Sequence, residues 1–371
     1  MSNSVVVTGV SAIGPLGATP RAILDNCGFL PERSGTGRTE ETPRGNQFWL
    51  LEPMDFSACT SARTARKLDK FCLLGLAAAQ QALAHAQLCG EALEPEAVGL
   101  FIGNNLGGWG YIEKELRLLH TQGVKAMSPY VATAWFPAAL QGQLSLKYGF
   151  TGHSKTFSSR DVAGLQALGY AAQAIRAGRI QVAVCGAAED LSSDFVRAVL
   201  DQDSTATGNG RNRGQCFSEG GAFLILESEA HALARGARPL ARVDHFSDRF
   251  AARPADLAPT LAHSLAPHAR AGQAPVLFIG ETDDAALHAG LQQAYNAAGR
   301  AQAYTYAQPA LGTRFSLNGV LEAALACHEF QHAGVPGSLL EHRRADSEFH
   351  TVVIPRTTSQ GNVTCLGMSR Y

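Results

Sequence analysis

The amino-acid sequence predicts an α/β protein in which a largely parallel sheet is covered by helices. Three observations carry that expectation. Short apolar runs stopped by glycine recur along the chain, helix-patterned stretches alternate with them, and a second round of the same alternation starts at Val276. The composition agrees. Of 371 residues, 46% are hydrophobic and only 17% charged, against roughly 25% charged in an average globular protein. Such a chain has ample apolar material for a large core, arranged as two domains or one duplicated one.

Ser4-Val5-Val6-Val7-Thr8-Gly9 is a β-branched run closed by glycine, the mark of a buried strand. Residues 65–87 read as a helix with Leu68, Phe71, Cys72, Gly75, Leu76 and Ala79 on one face. Val98 to Gly103 is a second buried strand; a turn from Asn104 to Gly108 leads to a helix from about Trp109 to His120. A strand near Lys155 to Ser159 feeds a small-residue helix from about Asp161 to Arg176, and Val182 to Gly186 closes the unit. Phe223 to Glu227 reads as a strand before an alanine-rich helix, and residues 250–273 as a variable surface helix with loops. The second round has strand Val276 to Ile279, a helix near Asp284 to Ala298, a helix from Ser316 to about His332, and strand Thr351 to Ile354. The expected halves are 1–240 and 241–371.

Charge and cysteine usage exclude several functions. Lys and Arg number 31 against 32 Asp and Glu, so the basic footprint of a nucleic-acid binder is missing. No apolar run approaches the ~18 residues of a membrane span, and Met1 to Val10 has no signal-peptide pattern, so the expectation is a cytoplasmic protein with no membrane or nucleic-acid partner. Eight scattered cysteines form no C-x-x-C pair, which argues against a zinc ribbon, a redox dithiol or a disulfide scaffold.

Local motifs are mostly negative. Asn104-Asn105-Leu106-Gly107-Gly108 lacks the spacing and the lysine of a phosphate loop and reads as a tight turn. His328-Glu329-Phe330-Gln331-His332 matches H-E-x-x-H, but Gly334 and Pro336 put it at a fraying helix end, with a third ligand only guessed among Glu341, His342, Glu348 and His350. Histidines complementing a helix C-terminus are the preferred reading, and no metal or cofactor is expected. No G-x-S-x-G elbow exists.

Several segments together resemble the elongating β-ketoacyl-acyl-carrier-protein synthases of the thiolase fold. These are Gly9 to Gly17, Lys67-Leu68-Asp69-Lys70-Phe71, Gly142 to Leu146 with Tyr148-Gly149, Gly186-Ala187-Ala188-Glu189, Ser218 to Ala222, and Gly312 to Gly319. The resemblance implies two duplicated α/β halves in a layered αβαβα core. It covers nearly the whole chain, with the C-terminal half shorter and more diverged. In that family a cysteine opening the central helix carries the acyl chain, and two histidines assist decarboxylation. Here Asp161 falls on the cysteine, Gly280 on the first histidine, Thr313 on the second, and Gln360 on the gating phenylalanine. An acyl-thioester needs a thiolate, and the enolate from a malonyl unit needs hydrogen-bond donors. A fixed anion at residue 161 would also repel a malonyl carboxylate. Capping the helix N-terminus is the plainer role for Asp161, worth ~1 kcal/mol. Cys185 reads as a buried hydrophobe inside a strand; Cys216 is unassigned.

A closer resemblance is to the chain length factors, the cysteine-lacking β-subunits of type II polyketide synthases, carried by Pro129-Tyr130, Ala134-Trp135-Phe136 and Ala163 to Leu168. Those subunits commonly have glutamine where Asp161 stands. The short second half resembles the factors of polyene systems, including aryl polyenes. The resemblance implies pairing with a cysteine-containing ketosynthase, traffic with an acyl carrier protein, and a chain tunnel at the interface. Its wall would be Leu106, Trp109, Ile112 and Leu116, with Val131 and Ala132, while Tyr130, Thr156 and Phe157 would lie at the interface, where residues 154–159 pair as an edge strand. Trp109, Ile112 and Leu116 share one helical face, a pattern that plain core also produces. A decarboxylase or acyltransferase working through Asp161, and a purely structural subunit, remain alternatives.

Overall fold

The computed structural model describes residues 4–27, 29–88, 93–203, 215–265, 276–279, 302–305, 311–313, 315–331 and 350–371. Ten strands hydrogen-bond into one mixed sheet: β1 (Val5–Ile13), β4 (Val98–Gly103), β5 (Lys155–Phe157), β6 (Val182–Glu189), β8 (Gly220–Ser228), β9 (Ala241–Phe250), β10 (Val276–Ile279), β11 (Gln302–Thr305), β12 (Thr351–Thr357) and β13 (Asn362–Arg370). A small second sheet holds β2 (Gly37–Glu41), β3 (Gln47–Leu51) and β7 (Cys216–Ser218). The main order is β11-β10-β12-β13-β9-β1-β8-β6-β4-β5. It is the same five-strand pattern written outward in both directions from β1 and β9, which join through Val5–Val243, Val6–Arg242 and Val7–Ala241. On both sides the inner neighbours are antiparallel and the outer two pairs parallel.

Seven helices matter for the site: α1 (Lys70–His85), α2 (Trp109–Gln122), α3 (Ala139–Tyr148), α4 (Ala163–Arg176), α5 (Asp194–Asp203), α6 (Leu257–Leu265) and α7 (Asn318–Gln331). Side chains alternate across each strand, so one strand feeds two cores. Leu224 and Leu226 of β8 join the central core with Leu165 and Leu168 of α4 and Val320 and Leu321 of α7. Phe223 and Ile225 point the other way, to Phe71, Leu74 and Leu83 of α1. On the second half Val352 and Ile354 face the central helices, while Val353 meets Leu261 and Leu265 of α6. The layers are therefore α1, half-sheet, α4 with α7, half-sheet, α6, an αβαβα arrangement. Strands β4 and β6 are buried from end to end, as expected where helices cover both faces.

The elements differ from the sequence expectation in instructive ways. The helix expected over 65–87 starts at Lys70, because Asp69 caps it by accepting from Phe71 N–H (3.0 Å), and a separate turn, Ala62–Ala65, precedes it. The central helix starts at Ala163 rather than Asp161. Its cap position is Val162, so Asp161 stands one residue before the cap, in a short 3₁₀ turn. The late helix starts at Asn318 and its motif is split: His328 lies inside it, whereas His332 is outside the described residues, as is the helix expected near Asp284 to Ala298. Strands β9 and β13 were not foreseen, since Ala-Arg-Val-Asp-His-Phe-Ser-Asp-Arg-Phe lacks an apolar run. They pair with each other along most of their length and hold the second half together.

Glycine at two facing positions sets the spacing of the central layer. A Cβ on Gly103 would sit 2.8 Å from Gly164 N, and one on Gly164 would sit 2.0 Å from Ser316 O. Strand β4, helix α4 and the start of α7 thus touch backbone to backbone. Gly164→Ala should lower stability by about 1–3 kcal/mol, read as a shift in the urea midpoint, because the nearest atom, Ser316 O, is backbone and Val320 Cγ2 at 2.6 Å belongs to a stiff, fully buried side chain.

Candidate functional site

The site grows from the turn between β5 and α4. Arg160 has φ +57°, a left-handed conformation strained for a long side chain, and its N–H donates to Asn105 Oδ1 (3.1 Å). Beside it Ser159 Oγ bonds Gln166 Oε1, and Gln166 Nε2 donates to Asp248 Oδ2 (2.9 Å). Asp248 also accepts from Tyr170 Oη (3.1 Å) and Thr364 Oγ1 (2.7 Å), so the turn is tied to β9 and β13 of the second half. Asp161, half-buried, follows Arg160. The 160–162 turn packs against the 3₁₀ turn Phe315–Leu317 and against β12 and β13.

Thr313 and Gln360, two further expected site positions, lie on separate segments. Thr313 bridges β7: its N–H donates to Cys216 O (2.7 Å) and its carbonyl accepts from Ser218 N–H (2.9 Å). Gln360 is exposed in the β12–β13 hairpin turn, closed by Gly361 N–H donating to Thr358 O (2.9 Å). Gly280 lies outside the described residues. No thiol occupies the elbow: Cys185 is wholly buried in β6, where burial pushes its thiol well up, and Cys216 is buried in β7 beside Gly312.

The end of β6 carries two carboxylates that the sequence motifs contain but assign no role. Glu189 accepts from Asn105 N–H (2.7 Å), Leu106 N–H (3.1 Å), Asn104 Nδ2 (3.2 Å) and Ser316 Oγ. Burial raises its carboxyl to about 7 against those hydrogen bonds. Asp190 accepts from Ser192 N–H (2.9 Å) and shares an acidic cluster with Asp69, Lys70 and Glu219. Asp69 accepts from Tyr111 N–H (2.7 Å) as well as Phe71 N–H, linking the starts of α1 and α2. Burial first, and Asp190 second, lift Asp69 to about 8 and Glu219 to about 7, with Lys70 opposing in both. The signal in the sequence was a charged residue inside each of three glycine- or apolar-flanked motifs; only the fold brings them together.

The expected tunnel wall divides. Leu106 and Trp109 pack on the cluster of Phe48, Phe217 and Phe315, and Trp109 meets Phe195 at 5.0 Å. Ile112 is half-buried and Leu116 is 40% exposed, so this stripe of α2 is only partly covered by its own chain. The opposite face is satisfied: Tyr111 Oη and Glu115 bond Ser128. Val131 is half-buried and Ala132 exposed. Tyr130 is exposed beneath Lys67, whose Nζ lies 4.4 Å from the ring centroid. Thr156 bonds Gln141 (2.8 Å), and Phe157 stacks on Tyr170 at 5.3 Å. Strand β5 ends the sheet, so one side of it pairs with no described strand. Six of the thirteen large apolar side chains left exposed among the described residues fall between Leu116 and Leu146. An open groove of about 500 Å³ lies on another face of α2, lined by Glu113, Arg117, Thr121, Ser192 and Asp194 among others, and includes none of the expected wall. Among the described residues no three His, Cys, Asp or Glu are placed to hold a metal, and no helix is long and apolar enough to cross a membrane.

Residues 2–232 match the family model of the β-ketoacyl synthase N-terminal domain. Over 367 residues the chain is 30% identical to the putative polyketide β-ketoacyl synthase 2 of Streptomyces halstedii, covering 89% of this chain and 86% of that one. It is 30% identical over 272 residues to the tetracenomycin polyketide synthase ketoacyl synthase beta subunit of Streptomyces glaucescens, covering 69% and 66%. Among solved structures, a type II polyketide synthase acyl-carrier protein in complex with its ketosynthase bound to the hexaketide contains a chain of TM-score 0.85 and 36% identity, covered in full on both sides. The ishigamide ketosynthase/chain length factor superposes with TM-score 0.83 at 19% identity, likewise over 100% of each chain, a likeness of fold.

The three raised carboxyls make stability depend on pH. Between about pH 4 and pH 8 the folded chain holds protons that the unfolded chain releases, so stability falls as pH rises through that window. The urea midpoint should decline from about pH 4 to about pH 8, and Glu189→Gln, which cannot ionise, should flatten the decline.

Proposed function

The chain belongs to the β-ketoacyl synthase family, and from that membership we propose that it is a non-condensing subunit, a chain length factor. It pairs with a cysteine-bearing ketosynthase and walls the space into which the growing acyl chain extends. The single observation behind this reading is the elbow: its frame is kept, with Arg160 in the left-handed region, while Asp161 stands where the family places its thiol. A carboxylate there cannot form the acyl-thioester, and it opposes the approach of a malonyl carboxylate. Thr313 replaces an imidazole, which removes one donor for the developing enolate.

The partly covered stripe of Trp109, Ile112 and Leu116 supports a ligand wall, since Trp109 and Leu106 lie in the same cluster as Phe315, beside the degenerate elbow. The exposed apolar side chains between Leu116 and Leu146 support a partner subunit. Names of relatives, a β-ketoacyl synthase 2 and a ketoacyl synthase beta subunit, point in the same direction. For an acyl carrier protein, an acidic partner, the support is the run from Phe56 to Leu68, which has Arg63, Arg66 and Lys67 and no acid.

Purified alone, the chain should not condense malonyl-carrier substrates; co-purified with its ketosynthase, it should. In that pair Trp109→Ala should move the products toward longer chains, read by mass spectrometry of carrier-bound intermediates. Condensation by the chain alone, or an unchanged product distribution, would overturn the reading. Arg66→Glu should weaken carrier-protein binding by roughly tenfold at low salt and less at high salt.

A further inference from the structure

Helix α2, which carries Trp109, Ile112 and Leu116, starts without a side-chain cap of its own. Its cap position is Gly108, and the first turn runs Trp109, Gly110, Tyr111. A cap side chain normally accepts from the second or third helical N–H, and the third here belongs to Tyr111. That N–H donates to Asp69 Oδ2 (2.7 Å), which lies 42 residues earlier in the chain. The other oxygen of the same carboxyl, Oδ1, accepts from Phe71 N–H (3.0 Å) at the start of α1. One carboxyl, 2% exposed, therefore caps two helices. Protonated or ionised, each of its oxygens keeps a lone pair for its N–H.

The turn around Trp109 is held by backbone contact. A Cβ on Gly108 would lie 2.3 Å from Ala134 O. One on Gly110 would lie 2.8 Å from Ser192 Oγ, 2.9 Å from Asp190 Oδ2 and 3.2 Å from Asp69 Oδ2. Ser192 Oγ in turn donates to Asp190 Oδ2 (2.6 Å). The first turn of α2 thus rests directly on two carboxyls, with no side chain between. Glu189 fixes the approach to the helix through Leu106 N–H, and Asp69 fixes the helix itself through Tyr111 N–H. Trp109 lies between those two points, and Ile112 follows at once, its N–H donating to Gly108 O (3.1 Å).

We propose that Asp69 is a positioning residue for the acyl-chain wall: capping α2 from outside the helix, it sets the place of Trp109 and Ile112 and with it the length at which chain growth stops. The inference rests on the chain-length reading above. A helix end opens first at the turn whose N–H groups lose their acceptors. Fraying here releases Trp109 from the position in which it closes the space, so longer products fit. A methyl group at residue 110 should have the same effect from the other side, by lifting the turn off both carboxyls.

Its test is product length in the complete pair with its ketosynthase, supplied with malonyl-carrier substrates and read by mass spectrometry of carrier-bound intermediates. Asp69→Ala should lower the ratio of normal-length to longer products about fivefold, the factor that loss of one helix-cap bond represents. Gly110→Ala should move the ratio in the same direction, and it decides the matter if Asp69→Ala fails to fold. Leu261→Ala, in the outer core beside α6, is the control for simple destabilisation: the urea midpoint should fall while product lengths stay as in wild type. Product lengths unchanged in Gly110→Ala, or moved as far by Leu261→Ala, would overturn the positioning role. Where Trp109→Ala lengthens the products and Gly110→Ala does not, the positioning role falls alone; where Trp109→Ala does not lengthen them either, the wall reading falls.

Discussion

Two consecutive carboxylates at the end of β6 hold together what the rest of the site needs. Glu189 gathers the Asn105 and Leu106 N–H groups and Ser316, fixing the turn before α2 to the turn before α7. On the other side Asp190 sits with Asp69, Lys70 and Glu219, and Asp69 in turn caps α1 and takes the N–H of Tyr111. Buried carboxylates are costly unless they are hydrogen-bonded, and here most of the bonds come from backbone N–H groups, several of them at the start of a helix or turn. The cost is therefore tied to correct placement of α1, α2 and the 315–317 turn. Displacing any of them strands a buried acid.

The elbow illustrates the difference between a frame and its chemistry. Arg160 has a left-handed backbone, Asn105 holds its N–H, and Gln166 with Asp248 ties the turn to the second half. These are features of shape. At the proposed nucleophile and imidazole positions stand Asp161 and Thr313, and Cys185 and Cys216 are buried as core residues. On the proposed reading, a frame of this kind serves a neighbour's reaction by presenting a wall and an edge rather than a nucleophile.

Legibility followed how each element gains its stability. Strands β1, β4, β6 and the core of β8 are readable because both faces are covered and each is a continuous apolar or small-residue run. Strand β9 was not, since its far half is polar and its stability comes from ladder bonds to β13. Helix starts differ from expectation by two to five residues: Asp69, as N-cap, makes one expected helix begin later, and a 3₁₀ turn precedes both central helices. In the site, Asp161, Thr313 and Gln360 were identified by their positions in motifs, but Asp69, Asp190 and Glu219 were not, because an acid acquires such a role only from neighbours far along the chain.

Residue order alone carries the α/β class, the family resemblance, Asp161 where that resemblance expects a cysteine, and the acid-free stretch from Leu116 to Arg160. Those properties reside in residue identity and local order. Only the tertiary structure decided that Leu106 and Trp109 pack beside the elbow while Leu116 stays open, that β5 forms the sheet's edge, and that four charged groups from three segments share one buried site. The physical reason is that burial, pairing and exposure are relations between segments, and no single stretch of chain contains both sides of such a relation.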